Sequence, residues 1–452
     1  MSTSRTSFSV HLTARDSGAR LLKLPDVASC DPAEVPLSLA TVSIDDRLLF
    51  QEIEGFGGAF TEAMTVTLDK MPAERREEAL RAYFDPATGH GYNFCRVHMG
   101  SCDFALGNYA HCDTPGDHAL VTFNIDRDRE SLLPAIKRAQ EISGGFKLLS
   151  SPWSPPAWMK TNDQMNRGGK LKADCGDAWA GCYAKFIQAY AAEGVPIWGT
   201  TVQNEPAAVQ PWDSCVYTPE DERDFVRDHL GPVLDRAGLD DVKIVVWDHN
   251  RDHVFERARV IFDDPEASRR VWGAGLHWYS GDTFDNLQSV HELWPDKKLL
   301  FTEGCQEGGP HHGSWLTGER YAHAMIGDFN HWVTGWIDWN MVLDETGGPN
   351  HVGNLCSAPI LADTRTGELH YQSSYFYIGH FCRFVKPGAR RIACSAAKDD
   401  LEAVAFRNPD GSLVTVVLNR SETPRDFVLK TPRGWARLRA GHRSIQTIVQ
   451  AS

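Results

Sequence analysis

The chain has 452 residues, of which 42% are hydrophobic and 23% charged, and a formal net charge of −14. That length exceeds one small core and suits a large barrel with a smaller appended domain. The acidic balance excludes a nucleic-acid partner, which needs basic surface, and no apolar stretch reaches the roughly 18 residues of a transmembrane segment.

From the N-terminus, charges at Arg5, Arg15, Asp16, Arg20, Lys23 and Asp26 break up any leader-like apolar run. The segment reads as strands of a cytoplasmic protein. Eleven cysteines, with Cys95, Cys305 and Cys394 inside apolar runs, read as small buried hydrophobes in a reducing compartment. Thr41–Ile44, Asp45-Asp46 and Leu48–Ile53 predict a hairpin.

Eight strand-like runs follow: Ile53–Phe60, Tyr92–Gly100, Phe146–Ser151, Ile197–Asn204, Val242–Asp248, Val271–Tyr279, Lys298–Glu303 and Gly335–Leu343. They recur roughly every 40 residues, the scale of a βα repeat in a barrel. Continuous apolar runs suit strands buried on both faces of a parallel sheet. The segments between them are helical in pattern. One opens Thr218-Pro219-Glu220-Asp221, an N-cap with proline and acids in the first turn, and carries Val226, Leu230, Val233 and Leu234 along one face. Another runs from Ser131 through Leu132, Leu133, Ile136 and Ile142 to a stop at Gly144-Gly145. This predicts an α/β fold, a (β/α)8 barrel over residues 51–380. Beyond it, Leu401–Arg407, Asn408-Pro409-Asp410-Gly411 and Ser412–Asn419 form a hairpin signature. The expected second domain is a β-sandwich built from both termini, residues 1–50 and 381–452.

Barrel enzymes carry catalytic groups at the C-terminal ends of strands. The fourth run ends Asn204-Glu205-Pro206 and the seventh Thr302-Glu303-Gly304. Glycoside hydrolysis needs two carboxyl groups flanking one bond, and about 5 Å between them permits a covalent intermediate. A lone strand-end glutamate is usually a cap or a solvated charge; two facing each other across one barrel mouth suggest catalysis. Other strand ends carry Arg96, Asp103, Trp153, Trp158, Asp248, His277-Trp278-Tyr279 and Asp338-Trp339-Asn340. Aromatic plates beside carboxylates and amides are the lining a sugar expects.

Alternatives are weaker. His311-His312 near Cys305 and Glu307 lacks the spacing of a metal motif, so neither metal nor cofactor is expected. Gly55-Phe56-Gly57-Gly58 lacks the third glycine of a dinucleotide loop, where Phe60 stands, and reads as close strand packing. No G-x-S-x-G elbow occurs. A non-catalytic carbohydrate-binding protein would not need both glutamates.

The motifs resemble glycoside hydrolase family 30, especially its acid β-glucosidase (glucosylceramidase) branch. The matching stretches are Gly55–Ala63, Arg96–Phe104, Ser151-Pro152-Trp153, Asn204-Glu205-Pro206, His277-Trp278-Tyr279 and Glu303-Gly304-Cys305, then Trp336–Asn340, Gly347–Asn350 and Pro409–Arg420. The resemblance implies a barrel with a β-sandwich and retention of anomeric configuration. It implies Glu205 as acid/base and Glu303 as nucleophile, with Asp103, Trp153, Asn204, Trp339 and Asn354 on the sugar and Arg96, His277 and Tyr279 around the carboxylates. The expected substrate is a β-glucoside, whether small molecule, oligosaccharide or glycolipid; β-1,6-glucan and β-xyloside are the alternatives. Arg96 is expected to keep Glu303 ionised, and the charge of Glu303 to raise Glu205. The sequence departs from the lysosomal members at Gln203, at Thr302-Glu303-Gly304 and in the Gln306–Trp315 segment. The last of these shapes the leaving-group side.

Overall fold

The eight runs close into a parallel barrel. In the computed structural model, which describes residues 6–398 and 400–452, its strands are β1 (Gly55–Phe60), β2 (Phe94–Met99), β3 (Lys147–Pro152), β4 (Gly199–Thr201), β5 (Lys243–Asn250), β6 (Val271–His277), β7 (Lys298–Glu303) and β8 (Val333–Asn340). Phe94, Leu149, Val245, Leu300 and Ile337 form one fully buried cluster from five of them, the packed interior this architecture requires. The fourth strand is shorter than its apolar run, yet backbone bonding continues past its end. Val202 donates to Val245 O, Asn204 to Pro152 O and Glu205 to Asp248 O. The eighth run breaks after Asn340, and Val342–Asp344 pairs instead with Ile360–Asp363.

The helix opening at Thr218 carries a complete capping box with Asp221. It passes through a π-helical stretch, Phe225–Leu230, before ending at Arg236. Pro232 lacks the N–H an α-helical turn would use there, and the wider turn accommodates it. Leu132–Ser143 stops as expected on Gly144, at φ 83°.

A second compact unit takes the chain up to Gly55, His312–Thr334 and the chain from Tyr371 onward. Its β-sandwich draws on both termini. Ser7–Ala14 pairs antiparallel with Ser444–Gln450, and Ala40–Glu52 lies between Arg390–Ala396 and Arg425–Thr431. Phe8, Val10, Val42, Phe427, Leu429 and Ile448 are among its buried core. The hairpin from Glu402 to Asn419 forms as expected.

Two expectations are corrected. Asp45-Asp46 makes no hairpin turn: Ala40–Glu52 is one strand, with a bulge that places Leu49 opposite Ile392 and Asp45 opposite Ala393. The Asp45 carboxylate accepts from Arg47 N inside the bulge, so the turn-forming residues bend the strand without reversing it. Nor are all the cysteines free. Cys112 and Cys182 form a disulfide, and the other nine are reduced.

The glycines of β1 serve close packing. A Cβ on Gly57 would sit 1.8 Å from Phe94 O, and one on Gly58 2.5 Å from the Met341 side chain. Gly57→Ala should therefore cost at least the roughly 1–3 kcal/mol of ordinary overpacking, seen as a lowered denaturation midpoint. An unchanged midpoint would show that β1 and β2 can part.

Candidate active site

The residues singled out at strand ends converge on one pocket of about 240 Å³, lined by Asp103, Trp153, Asn204, Glu205, Tyr279, Glu303, Trp339 and Asn354. Arg96 and His277, both fully buried, lie behind them.

Arg96 projects from β2 and uses every N–H it has. Nε donates to Ser151 Oγ (2.9 Å), Nη1 to Glu303 Oε2 (2.8 Å) and Thr302 O (3.2 Å), and Nη2 to Asp248 Oδ2 (2.7 Å) and Asn204 Oδ1 (2.9 Å). Its guanidinium also lies over Trp153, 4.8 Å from the ring centroid, and Trp339, at 5.6 Å. These two indoles stack on each other at 5.1 Å and 23°. The floor of the pocket is thus aromatic, with a cation behind it.

Glu303 accepts from Tyr279 Oη (3.0 Å) as well as from Arg96. Glu205 faces His277 Nδ1 at 3.3 Å, and the other nitrogen of that ring meets Asp248 Oδ1 at 3.0 Å. A carboxylate oxygen of each glutamate and one His277 nitrogen all lie within 4.8 Å of one another. Two carboxyl groups this close are nearer to the spacing of a retaining pair than to the wider gap of an inverting one.

Glu205 sits at φ 49°, and Asp248 and Trp247 at 46° and 69°. Such values are rare outside glycine and gather at functional sites. Gln203 holds the turn before Glu205 through bonds from Nε2 to Trp153 O and Asn204 O. Thr302, on the other side, donates to Asp248 Oδ1 at 2.6 Å. Gly304 is required small, because a Cβ would lie 2.7 Å from the Phe301 ring.

The charges form a cage. Asp248, buried but held by Arg96 and His277, stays well below the carboxylate range. Burial opposes charge on His277, yet Glu303, Asp248 and Glu205 raise it to about 9, so it is an imidazolium at neutral pH. For Glu205, burial is outweighed by the His277 hydrogen bond and by His249, and the group is lowered. For Glu303, burial and the like charges of Glu205 and Asp248 outweigh His277 and Arg96, and the group is raised. These directions oppose the expected ordering, in which Glu303 is kept ionised and Glu205 raised. The reason is the His277 cation against Glu205, an effect the sequence did not suggest. Asp103, buried and accepting from Asn354 Nδ2 (3.0 Å) and Asn350 Nδ2 (3.2 Å), is raised to about 7.

The family model of the glycosyl hydrolase family 30 TIM-barrel domain matches residues 53–385, and that of the family 30 β-sandwich domain matches residues 388–448. The chain belongs to glycosyl hydrolase family 30. Lysosomal acid glucosylceramidase of Mus musculus is 37% identical over 402 residues, 85% of this chain and 78% of that one. An endo-1,6-β-D-glucanase of Neurospora crassa is 28% identical over 82% of this chain and 79% of its own. Among solved structures, SrfJ from Salmonella typhimurium superposes with a TM-score of 0.95 at 37% identity, over 99% of this chain and 100% of that one. As a family 30 member the protein is a glycoside hydrolase of the retaining β-type, and no helix among its described residues is long and apolar enough to cross a membrane.

Several residues of this family 30 pocket escaped sequence reading. His249, Asn250, Gln210, Trp212, Glu307 and Cys356 line it. His249 Nε2 lies 3.8 Å from Glu205 Oε1, and burial pushes its pKa down to about 4. Asp248-His249-Asn250 at the end of β5 was the available signal, since the same strand-end rule that found Glu205 applies there. Conversely, Trp158 is no wall of the pocket; its Nε1 donates to Cys112 O. Trp339 lies within β8, one residue before its end.

His277→Asn tests the cage. Removing the cation should raise Glu205 and move the alkaline limb of kcat/KM upward by roughly one to two pH units, the equivalent of about 1.5–3 kcal/mol for a hydrogen bond to a charged group. An unmoved limb would show that His277 does not set the charge of Glu205.

Proposed function

We propose that this protein cleaves β-glucosides by double displacement, with Glu303 as nucleophile and Glu205 as acid/base. The observation that carries the reading is the approach of the two carboxyl groups to within 4.8 Å, the spacing of a retaining pair. Glu303 attacks the anomeric carbon and forms a glycosyl ester while Glu205 protonates the departing oxygen. Glu205 then removes a proton from water, which breaks the ester and regenerates Glu303.

Chemistry requires the proton on Glu205 and the charge on Glu303. Bound sugar supplies the bias. Positive charge developing at the anomeric carbon favours ionised Glu303, and the glycosidic oxygen beside Glu205 favours its protonated form. The transfer between neighbouring carboxyl groups is short, and Arg96 and Tyr279 already stand as donors to a Glu303 anion. Once Glu303 is esterified its charge is gone, and Glu205, with His277 against it, is left as a base. Asn204 has its oxygen fixed on Arg96, which leaves its amide N–H groups for the sugar 2-hydroxyl. The Trp153–Trp339 stack offers an apolar face to the ring, and Asp103 offers a carboxyl group to its hydroxyls.

On the leaving-group side, Gln210, Trp212, His249, Asn250 and Glu307 line the pocket. This mixed polar and aromatic wall suits a sugar or aryl group as well as a lipid headgroup. Relatives named for glucosylceramide and for β-1,6-glucan support both classes. Rates on aryl β-glucoside, aryl β-xyloside, β-1,6-glucan and glucosylceramide would separate them, with the aryl β-glucoside expected to turn over faster than the xyloside.

Glu303→Gln should reduce turnover on the order of 10⁴-fold or more while leaving the denaturation midpoint near that of the parent. Proton NMR of the first-formed sugar should show the β-anomer. Near-normal activity of the variant, or an initial α-anomer, would overturn the assignment.

A further inference from the structure

Among the described residues, two sets of possible ligand atoms lie within 4.8 Å of one another: Glu205, His277 and Glu303 in the pocket, and His118, Asp174 and Cys175 outside it. The first set is occupied by its own chemistry, since both His277 nitrogens face carboxylates and Glu303 is held by Arg96 and Tyr279. The second set has no such use. We propose that His118, Asp174 and Cys175 form a site for a divalent cation of borderline-soft character, Zn²⁺ foremost, which ties the loop after β2 to the helix Gly176–Ala192.

The donor set is one imidazole nitrogen, one carboxylate oxygen and one sulfur, the mixture zinc accepts in a tetrahedral site. Neither ring nitrogen of His118 has a hydrogen-bond partner among the described residues. The imidazole is instead oriented edge-on to Trp158, with centroids 5.2 Å apart. Among the described residues the Asp174 carboxylate accepts only from the Cys175 thiol, at 3.6 Å. Lys172, the neighbouring cation, is engaged by Asp163 (2.8 Å) and Trp158 O (2.9 Å). His118 and Asp174 are exposed and Cys175 is buried behind them, so a fourth position opens to water.

The placement has a structural logic. Asp174 and Cys175 belong to the short 3-10 turn Ala173–Cys175 that leads into the helix, and His118 lies in the loop that follows β2. Cys112 of that loop is already joined to Cys182 of the helix. A cation would add a second tie between the same two segments. Binding displaces the Cys175 proton to solvent and forms one metal–sulfur, one metal–nitrogen and one metal–oxygen bond, with water completing the shell and no change of oxidation state.

The test is a Co²⁺ titration of the full chain, with cobalt as the visible stand-in for zinc. The expected result is a thiolate-to-cobalt charge-transfer band that saturates at one equivalent and is bleached by Zn²⁺. His118→Ala should weaken the affinity by more than the roughly 10–100-fold of an outer-shell change. Cys175→Ser should remove the band, and both variants should keep the parent's glycosidase rate. Absence of a thiolate band, or its survival in both variants, would overturn the site. Cobalt binding without that band and with loss of activity would place the ion at Glu205, His277 and Glu303, and would overturn it equally.

Discussion

Arg96 is fully buried on β2, so each of its five N–H groups must find an acceptor within the protein. The acceptors it finds belong to β3, to the segment after β4, to β5 and to β7. One guanidinium on β2 therefore ties four other regions of the barrel mouth to its own strand and fixes the carboxylate of Glu303 against its neighbours. Without it, two of its partners, Asp248 and Glu303, would lose a buried counter-charge and be left with the imidazolium of His277. The cost of such a loss is about 3–5 kcal/mol. The same group underlies the paired indoles of Trp153 and Trp339, so charge placement and the shape of the sugar platform share one origin.

The remaining electrostatics follow from that cation. Three carboxylates stand around two cations, Arg96 and His277, with burial opposing charge on all three. Asp248 takes the strongest pairing and is the fixed anion, which leaves Glu205 and Glu303 to share what remains. Strain is concentrated at the same place, in the left-handed backbone of Glu205, Trp247 and Asp248. The β4 segment stays bonded to β3 and β5 beyond its last strand residue, and this bonding holds Glu205 in that conformation.

Much of this was legible in the sequence because the barrel translates strand ends into a circle. Glu205 and Glu303 each close an apolar run before Pro or Gly, and that local signal survives folding. Arg96, His277 and Tyr279 were visible for the same reason, with their roles supplied by family resemblance. What escaped reading depends on distances that no spacing rule carries. His249 approaches Glu205 only because β5 turns at two left-handed residues, and Trp212 and Gln210 arrive on a loop. The Asp45-Asp46 stretch has the composition of a turn, but Arg390–Ala396 pairs with the chain on both sides of it, from Val42 to Glu52, and keeps Ala40–Glu52 one strand. Cys112 and Cys182 are 70 residues apart, a pairing that eleven cysteines leave undetermined. The charge balance between the two glutamates depends on the His277 cation as well as on Arg96, and no spacing in the chain shows that the imidazole lies against Glu205.

The central claim is that Glu303 becomes covalently attached to the sugar. Incubation with an activated 2-deoxy-2-fluoro-β-glucoside, followed by digestion and peptide mass spectrometry, reads this directly. The fluorine slows both displacements, the activated leaving group restores the first, and the ester accumulates. One fluoroglucosyl group on Glu303, with activity lost in step with labelling, is the predicted result. Labelling of Glu205, or inactivation with no sugar on Glu303, would contradict the account.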